Sequence, residues 1–123
     1  MTRRTFAPKD DAATDIDGED LIWRALNDAS RRRILDLLRE GSMTTGELCQ
    51  CFTFSRFAVM KHLKALEEGN LVIVERRGRE RVNHLNPAPI QAIHRRWIKP
   101  FERLSASRLL RLKATIEERK GRV

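Results

Sequence analysis

A mainly α-helical fold with one small β-hairpin is what this sequence predicts, and three observations carry the prediction. Apolar residues recur at helical spacing along most of the chain. One β-branched run, Leu71-Val72-Ile73-Val74, is followed by the turn signal Arg77-Gly78-Arg79 and a returning segment from Arg81 to Leu85. Two short helical patterns, each opened by a capping residue, stand just ahead of that hairpin.

Each element can be justified in turn. Residues 1–18 are polar, with Pro8, Gly18 and a run of acidic side chains, and read as a disordered acidic N-terminal tail. Leu21, Ile22, Ala25 and Leu26 place a first helix over roughly 19–27. Asp28 is the N-cap of a second helix, whose apolar side is Ile34, Leu35, Leu37 and Leu38 and which Gly41 ends near Glu40. Thr44-x-x-Glu47 has the form of a capping box and opens a short third helix at about 45–52, with Leu48, Cys49 and Phe52 on one face. Ser55 caps the fourth, in which Val59, Leu63 and Leu66 form the buried stripe. Gly69-Asn70 closes it, since Asn tolerates the left-handed conformation that helix ends often require. Pro87 and Pro89 bar the next helix from starting before Ile90. From there an amphipathic pattern through Ile93, Trp97, Phe101, Leu104, Leu109, Leu112 and Ile116 runs to about Glu118, with a kink or break expected near Lys99 because of Pro100.

Helix, turn, helix and two-stranded ribbon in that order make a winged helix-turn-helix, an arrangement that offers one helix to a DNA groove. The charge agrees. The chain of 123 residues has 25 Lys+Arg against 17 Asp+Glu, a net charge of +8. Residues 1–20 carry three basic and six acidic side chains, net −3, so the remainder carries +11. A folded part this basic favours polyanions, nucleic acid first. No apolar run approaches the ~20 residues of a membrane span, and the start of the chain lacks the apolar core of a secretory signal. Two cysteines one residue apart make no disulfide framework, which points to the reducing cytoplasm. No phosphate-cradling glycine loop, paired-carboxylate cleft or local nucleophile motif is present, so the expectation is a non-enzyme without a cofactor.

The buried stripe of the fourth helix leaves Arg56, Phe57, Met60, Lys61 and Lys64 on its other faces. Arg56 and Lys61 lie in the first two turns, where a guanidinium can bond a guanine edge; Phe57 or Met60 can meet a thymine methyl. Lys64 lies further along and suits a phosphate, as does the helix N-terminus with Ser55. Arg76, Arg77, Arg79 and Arg81 crowd the hairpin around Gly78 and repel one another unless a polyanion is near; edge charges that block strand pairing are the plainer account. Arg31, Arg32 and Arg33 oppose the dipole of the second helix, which hints at a DNA-backbone contact, with solvated charge as the alternative.

Several segments together resemble the ArsR (arsenic-repressor-like) family of bacterial and archaeal winged-helix repressors. They are Ala25-Leu26-Asn27-Asp28-Ala29-Ser30-Arg31-Arg32-Arg33-Ile34-Leu35, Gly46-Glu47-Leu48, Ser55 to Leu66 with its His62-Leu63-x-x-Leu66, and Leu71-Val72. The likeness covers about residues 19–100. Ala29 stands where a proline is common, and Gly69-Asn70 departs from a small residue followed by glycine. The resemblance implies a cytoplasmic homodimer, nucleoid-associated when DNA-bound, that binds a double-stranded inverted-repeat operator and represses transcription, often until an effector releases it. The effector is not named by the sequence. Physical reasoning agrees on the dimer. A module this small cannot bury both the first helix and a long terminal helix, so Leu21, Ile22, Trp97, Phe101, Leu104, Leu109 and Leu112 are the expected interface across a two-fold axis. The domain plan is then a tail over 1–18, the winged helix-turn-helix over 19–99, and a dimerising helical extension over 100–123.

Glu47-Leu48-Cys49-Gln50-Cys51 resembles the metalloid-binding segment of arsenic-sensing members, and thiolates suit soft ions. Positions i and i+2 of a helix point to nearly opposite sides, however, so Cys49 is expected to pack inward and Cys51 outward. The family's third thiol is replaced by Phe54, and the terminal helix offers only His94 toward the family's second metal site. No metal is therefore expected. Cys49 and Cys51 remain candidates for a metal- or thiol-responsive repressor, and a winged-helix protein-interaction module is the other alternative. His62, His84 and His94 read as structural or phosphate-contacting residues rather than ligands.

Overall fold

The computed structural model describes residues 18–121, so the acidic tail expected at the start of the chain lies, but for Gly18, outside the described residues. Two compact units divide the chain after Ile90. The first holds, in order, α1 (Gly18–Leu26), α2 (Ala29–Glu40), β1 (Met43–Thr44), α3 (Thr45–Gln50), α4 (Arg56–Glu68), β2 (Val72–Arg77) and β3 (Glu80–Leu85). Helix α5 (Ala88–Ile93) crosses the division and α6 (Ala106–Gly121) lies beyond it.

The caps read from the sequence are in place. Asp28 accepts from the backbone N–H of Arg31 at the start of α2. Thr44 and Glu47 exchange the two bonds of a capping box at α3, and Ser55 accepts from Ala58 N–H at α4. Asn70, after α4, has φ 60°, the left-handed turn expected of it. The core is built around α4. Val59, Leu63 and Leu66 are buried with Ile34, Leu35 and Leu38 of α2, Leu48 of α3, Ala25 of α1, and Leu71 and Val72 at the entry to β2. Burial of each such side chain is worth about 1.5–3 kcal/mol.

The sheet has one strand more than the sequence suggested. Met43 and Thr44 pair with Asn83 and Val82, giving the antiparallel order β1-β3-β2. A two-residue strand carries no periodic signal; what specifies it is Asn83. This side chain is fully buried in β3 and donates to Met43 O at 3.2 Å and Thr45 Oγ1 at 3.1 Å. It thereby ties the hairpin to the entrance of α3. The hairpin turn is a two-residue loop between Arg77 and Glu80, with Gly78 first and at φ 62°. A type II′ turn demands positive φ at that position.

Two expectations for the C-terminal third are corrected. Helix α5 starts at Ala88, not Ile90. Pro89 sits in its first turn, where a missing N–H leaves no helical bond unmade, and Asn86 Oδ1 accepts from Ala88 N–H ahead of it. The kink or break expected near Lys99 is present, but the loss of α-geometry is longer than expected, so that the pattern from Ile90 falls into four segments, α5 the first. A π-helical turn spans His94–Ile98 and a 3-10 turn Lys99–Arg103, and α6 begins only after Leu104 and Ser105. Pro100 accounts for the loss of α-geometry around it, and the Ser105 hydroxyl, accepting from Arg108 N–H, restarts the helix.

Gly69 shows how closely α1 lies on the end of α4. A Cβ there would stand 3.1 Å from Ala25 Cβ and 3.1 Å from the Leu21 carbonyl oxygen. Gly69→Ala is expected to lower stability by about 1–3 kcal/mol in urea unfolding, as overpacking against backbone does. Gly46→Ala, whose new methyl meets only Thr44 Oγ1 at 3.9 Å, should be neutral or stabilising. A Gly69→Ala protein as stable as the parent would mean that α1 yields freely.

Candidate nucleic-acid interface

Burial of Val59, Leu63 and Leu66 decides what α4 presents to water. Phe57, Lys61, Lys64 and Glu68 follow at i, i+4, i+7 and i+11 on the opposite side, and all four are exposed, Phe57 by 73%. The Lys61 ammonium lies 5.8 Å from the centre of the Phe57 ring, a cation–π distance. These residues, with Met60, Ala65, Glu67 and Arg81, border an open groove of about 640 Å³. Arg56 belongs elsewhere. It lines a smaller pocket of about 260 Å³ with Arg76, Arg79, Arg81, Glu80 and the Thr44-Thr45-Gly46 start of α3. Ser55 is used as the cap of α4.

Strand register separates the four wing arginines that the sequence grouped. Arg76 and Arg81 are directly paired across β2 and β3, on the same face as the buried Val72 and Asn83. Arg77 pairs with Glu80 and alternates to the other face, where it is bound to Glu75 at 3.2 Å. Arg81 is tied to Glu67 of α4 at 3.4 Å, and its Nε is buried without a partner. Among the described residues, Arg56, Arg76, Arg79, Lys61 and Lys64 form no ion pair within 4.0 Å. The interface thus combines an aromatic-cationic helix face with a pocket carrying unpaired guanidinium groups, while Arg77 is held apart from it. On its own face, Glu75 also accepts from His84 Nε2 at 2.8 Å, and His84 Nδ1 meets the Ser42 hydroxyl at 2.6 Å. That chain braces the hairpin against the α2–β1 link, which the sequence spacing did not reveal.

Two of the three arginines at the start of α2 receive a structural explanation. Arg31 donates from Nε to Ala25 O at 2.7 Å and from Nη2 to Arg24 O at 2.9 Å, and Arg32 donates to Leu26 O at 2.7 Å. Both guanidinium groups satisfy the open carbonyls at the C-terminus of α1, where cations are favoured. The dipole of the neighbouring helix had to be considered, and no pattern within α2 shows it.

Cys49 is half-buried against the core and Cys51 is exposed, its thiol donating to Glu47 O at 3.6 Å, as their spacing on α3 requires. Among the described residues no three His, Cys, Asp or Glu side chains converge as a metal site would need. Ile22 packs on the core of its own chain and Leu21 is half-buried, whereas Trp97, Phe101, Leu104, Leu109 and Leu112 are all exposed.

A winged helix-turn-helix whose second helix and wing offer unpaired cations defines a class of DNA-binding regulators. Comparison with known proteins supplies the family. The model of the arsR family of bacterial regulatory proteins matches residues 28–74. The HTH-type transcriptional regulator Rv2034 of Mycobacterium tuberculosis is 39% identical over 74 residues, covering 60% of this chain and 69% of that protein. The transcriptional repressor SdpR of Bacillus subtilis is 33% identical over 70 residues, 57% of this chain and 78% of its own. A solved ArsR-like transcriptional regulator from Rhodococcus sp. RHA1 superimposes with a TM-score of 0.62 at 28% identity, covering 85% of this chain and 92% of that one. The chain belongs to the arsR family of bacterial transcriptional regulators.

Three carboxyl groups brace this region and share a pH signature. Burial pushes the Asp28 carboxyl up, but the Arg31 N–H and the charges of His62 and Arg31 outweigh it, so the group sits below its ordinary value. Bonds from the Thr44 N–H and hydroxyl lower Glu47, and bonds from His84 and then Arg77 lower Glu75. A lowered carboxyl contributes stability above the unfolded-chain value, about 4, and loses it as pH falls through the lower folded value. Denaturation measured between pH 7 and pH 3 should therefore show stability declining toward the acid end. Glu47→Gln should give a shallower decline that converges with the parent at the lowest pH.

Proposed function

We propose that this regulator is a homodimeric repressor that binds a double-stranded inverted-repeat operator in the cytoplasm and is nucleoid-associated when bound. Helix α4 lies in the major groove, with Phe57, Met60 and Lys61 at base edges and Lys64 on phosphate. Arg56, Arg76 and Arg79 grip the backbone or an adjacent minor groove; Ser55 and Arg81 stand at the margin, and Arg77 joins only if it leaves Glu75. The observation that carries the reading is the outward row Phe57–Lys61–Lys64, exposed and free of ion pairs beside an unpaired arginine pocket. Holding several unpaired cations together disfavours the free protein unless a polyanion answers them. A protein-interaction module would not call for that charge. Repression is supported by the repressor named among the relatives.

The dimer is supported by the exposed apolar side chains of residues 97–116. Trp97, Phe101, Leu104, Leu109, Leu112 and Ile116 are each more than 40% exposed in the single chain. A two-fold contact would remove them from water, and a dimer on two half-sites would present one α4 to each, about 34–36 Å apart. No helix among the described residues is long and apolar enough to cross a membrane.

DNA should be tested as a duplex selected by the protein from a random pool, beside a shuffled duplex. Phe57→Ala and Lys61→Ala are expected to lower affinity for the selected duplex by about tenfold or more and for the shuffled one much less. Arg76→Ala and Arg79→Ala should weaken both and reduce the salt slope by about one each. Equal losses on both duplexes for the α4 variants would count against base reading by this face. Leu109→Glu with Leu112→Glu should give a monomer in sedimentation, with weaker operator binding; a persistent dimer would place the interface elsewhere.

A further inference from the structure

Helix α4 must leave the α1–α2 corner at a defined angle for its outward row to meet base edges. At its C-terminal end Gly69 seats it against α1. Two turns earlier, the His62 ring gathers a set of polar and aromatic contacts. His62 Nδ1 lies 3.5 Å from Arg31 Nη1 and 3.9 Å from Asp28 Oδ1. The ring of Phe54, in the turn before α4, stands edge-on to it at 5.6 Å and is itself stacked on Phe52 at 4.7 Å. Arg31 is not free to adapt. Its Nε and Nη2 are committed to the last carbonyls of α1, and Nη1 faces both His62 Nδ1 at 3.5 Å and Asp28 Oδ2 at 3.9 Å. A guanidinium only donates, so the Arg31 contact is a hydrogen bond when His62 offers a lone pair at Nδ1 and carries its proton on Nε2.

We propose that His62 is a positioning residue for DNA recognition: as a neutral acceptor of Arg31 it links α4 to the end of α1, and protonation of the ring breaks that link. The inference rests on the reading of α4 as the DNA-reading helix. The charged groups facing the ring are Arg31 of α2 and Asp28, the cap ahead of it; Phe54 contributes none. A protonated ring sets N–H against N–H at Arg31 and turns to Asp28, whose Oδ1 already accepts the backbone N–H that caps α2. The direction of the effect is distinctive. An added positive charge by itself favours DNA, whereas loss of the Arg31 contact lowers preference for the selected sequence.

The test uses the full chain, the duplex it selects from a random pool, and a shuffled duplex. In the free protein at neutral pH, nitrogen NMR of the imidazoles should show His62 as the Nε2–H tautomer. His62→Leu should lose about tenfold on the selected duplex, the equivalent of one hydrogen-bonded contact, with a much smaller loss on the shuffled one. His62→Asn, whose amide oxygen stands where Nδ1 does, should restore most of that loss. The ratio of selected to shuffled affinity should fall several-fold in the parent between pH 7.5 and 5.5 and stay level in His62→Asn. An Nδ1–H tautomer, or the same pH trend in His62→Asn as in the parent, would overturn the proposal. If no duplex is enriched, the DNA reading itself fails, and the tautomer still judges the contact with Arg31.

Discussion

Everything that α4 can do follows from the burial of three of its side chains. Val59, Leu63 and Leu66 are removed from water by α2, α3 and the start of the sheet, and this fixes the rotation of the helix about its own axis. Phe57, Lys61 and Lys64 face solvent as a consequence. Slippage by one residue would carry a charged side chain into the core, at a cost that a domain of marginal stability could not absorb. The buried stripe is therefore the means by which a packing constraint becomes an exposed aromatic and cationic face.

The supports of α4 and of the wing are polar, and most serve the chain itself. Arg31 and Arg32 close α1, Asp28, Thr44 and Ser55 open three helices, and Asn83 joins the hairpin to α3. The bonds of Arg31 and Arg32 use cations that a count of charges would assign to DNA. What remains unpaired is smaller and better organised than the net charge suggests. Pairing of Arg81 with Glu67 and of Arg77 with Glu75 leaves Arg56, Arg76 and Arg79 as the cations at the junction of helix and wing. Exposed pairs of this kind add little stability. Their effect is to decide which arginines are available.

Much of the fold was legible because its signals are local. Capping residues, the apolar spacing of α4 and the turn at Gly78 each act within a few residues of the chain, and the structure places them as read. The third strand was not legible, since two residues have no period and their pairing depends on Asn83, some forty positions away. After Ile93 the break near Lys99 was legible from Pro100 but its extent was not, for a related reason. Apolar residues at helical spacing show which side chains share a face, but they do not say whether the backbone between them keeps α-geometry, and around Pro100 it does not.

The sequence by itself determined the capped starts of α2, α3 and α4, the buried stripe of α4, the placement of Cys49 inward and Cys51 outward, and a family resemblance that comparison with known proteins upheld. These depend on spacing along one element and on the chemistry of single residues. Only the tertiary structure decided which basic residues are left without an ion pair and which close a neighbouring helix. Arg31 and Arg76 are alike in sequence, each among other arginines. One lies beside the open carbonyls of α1 and the other beside Arg56, because a charged side chain takes its role from the groups that folding brings within a few ångströms of it.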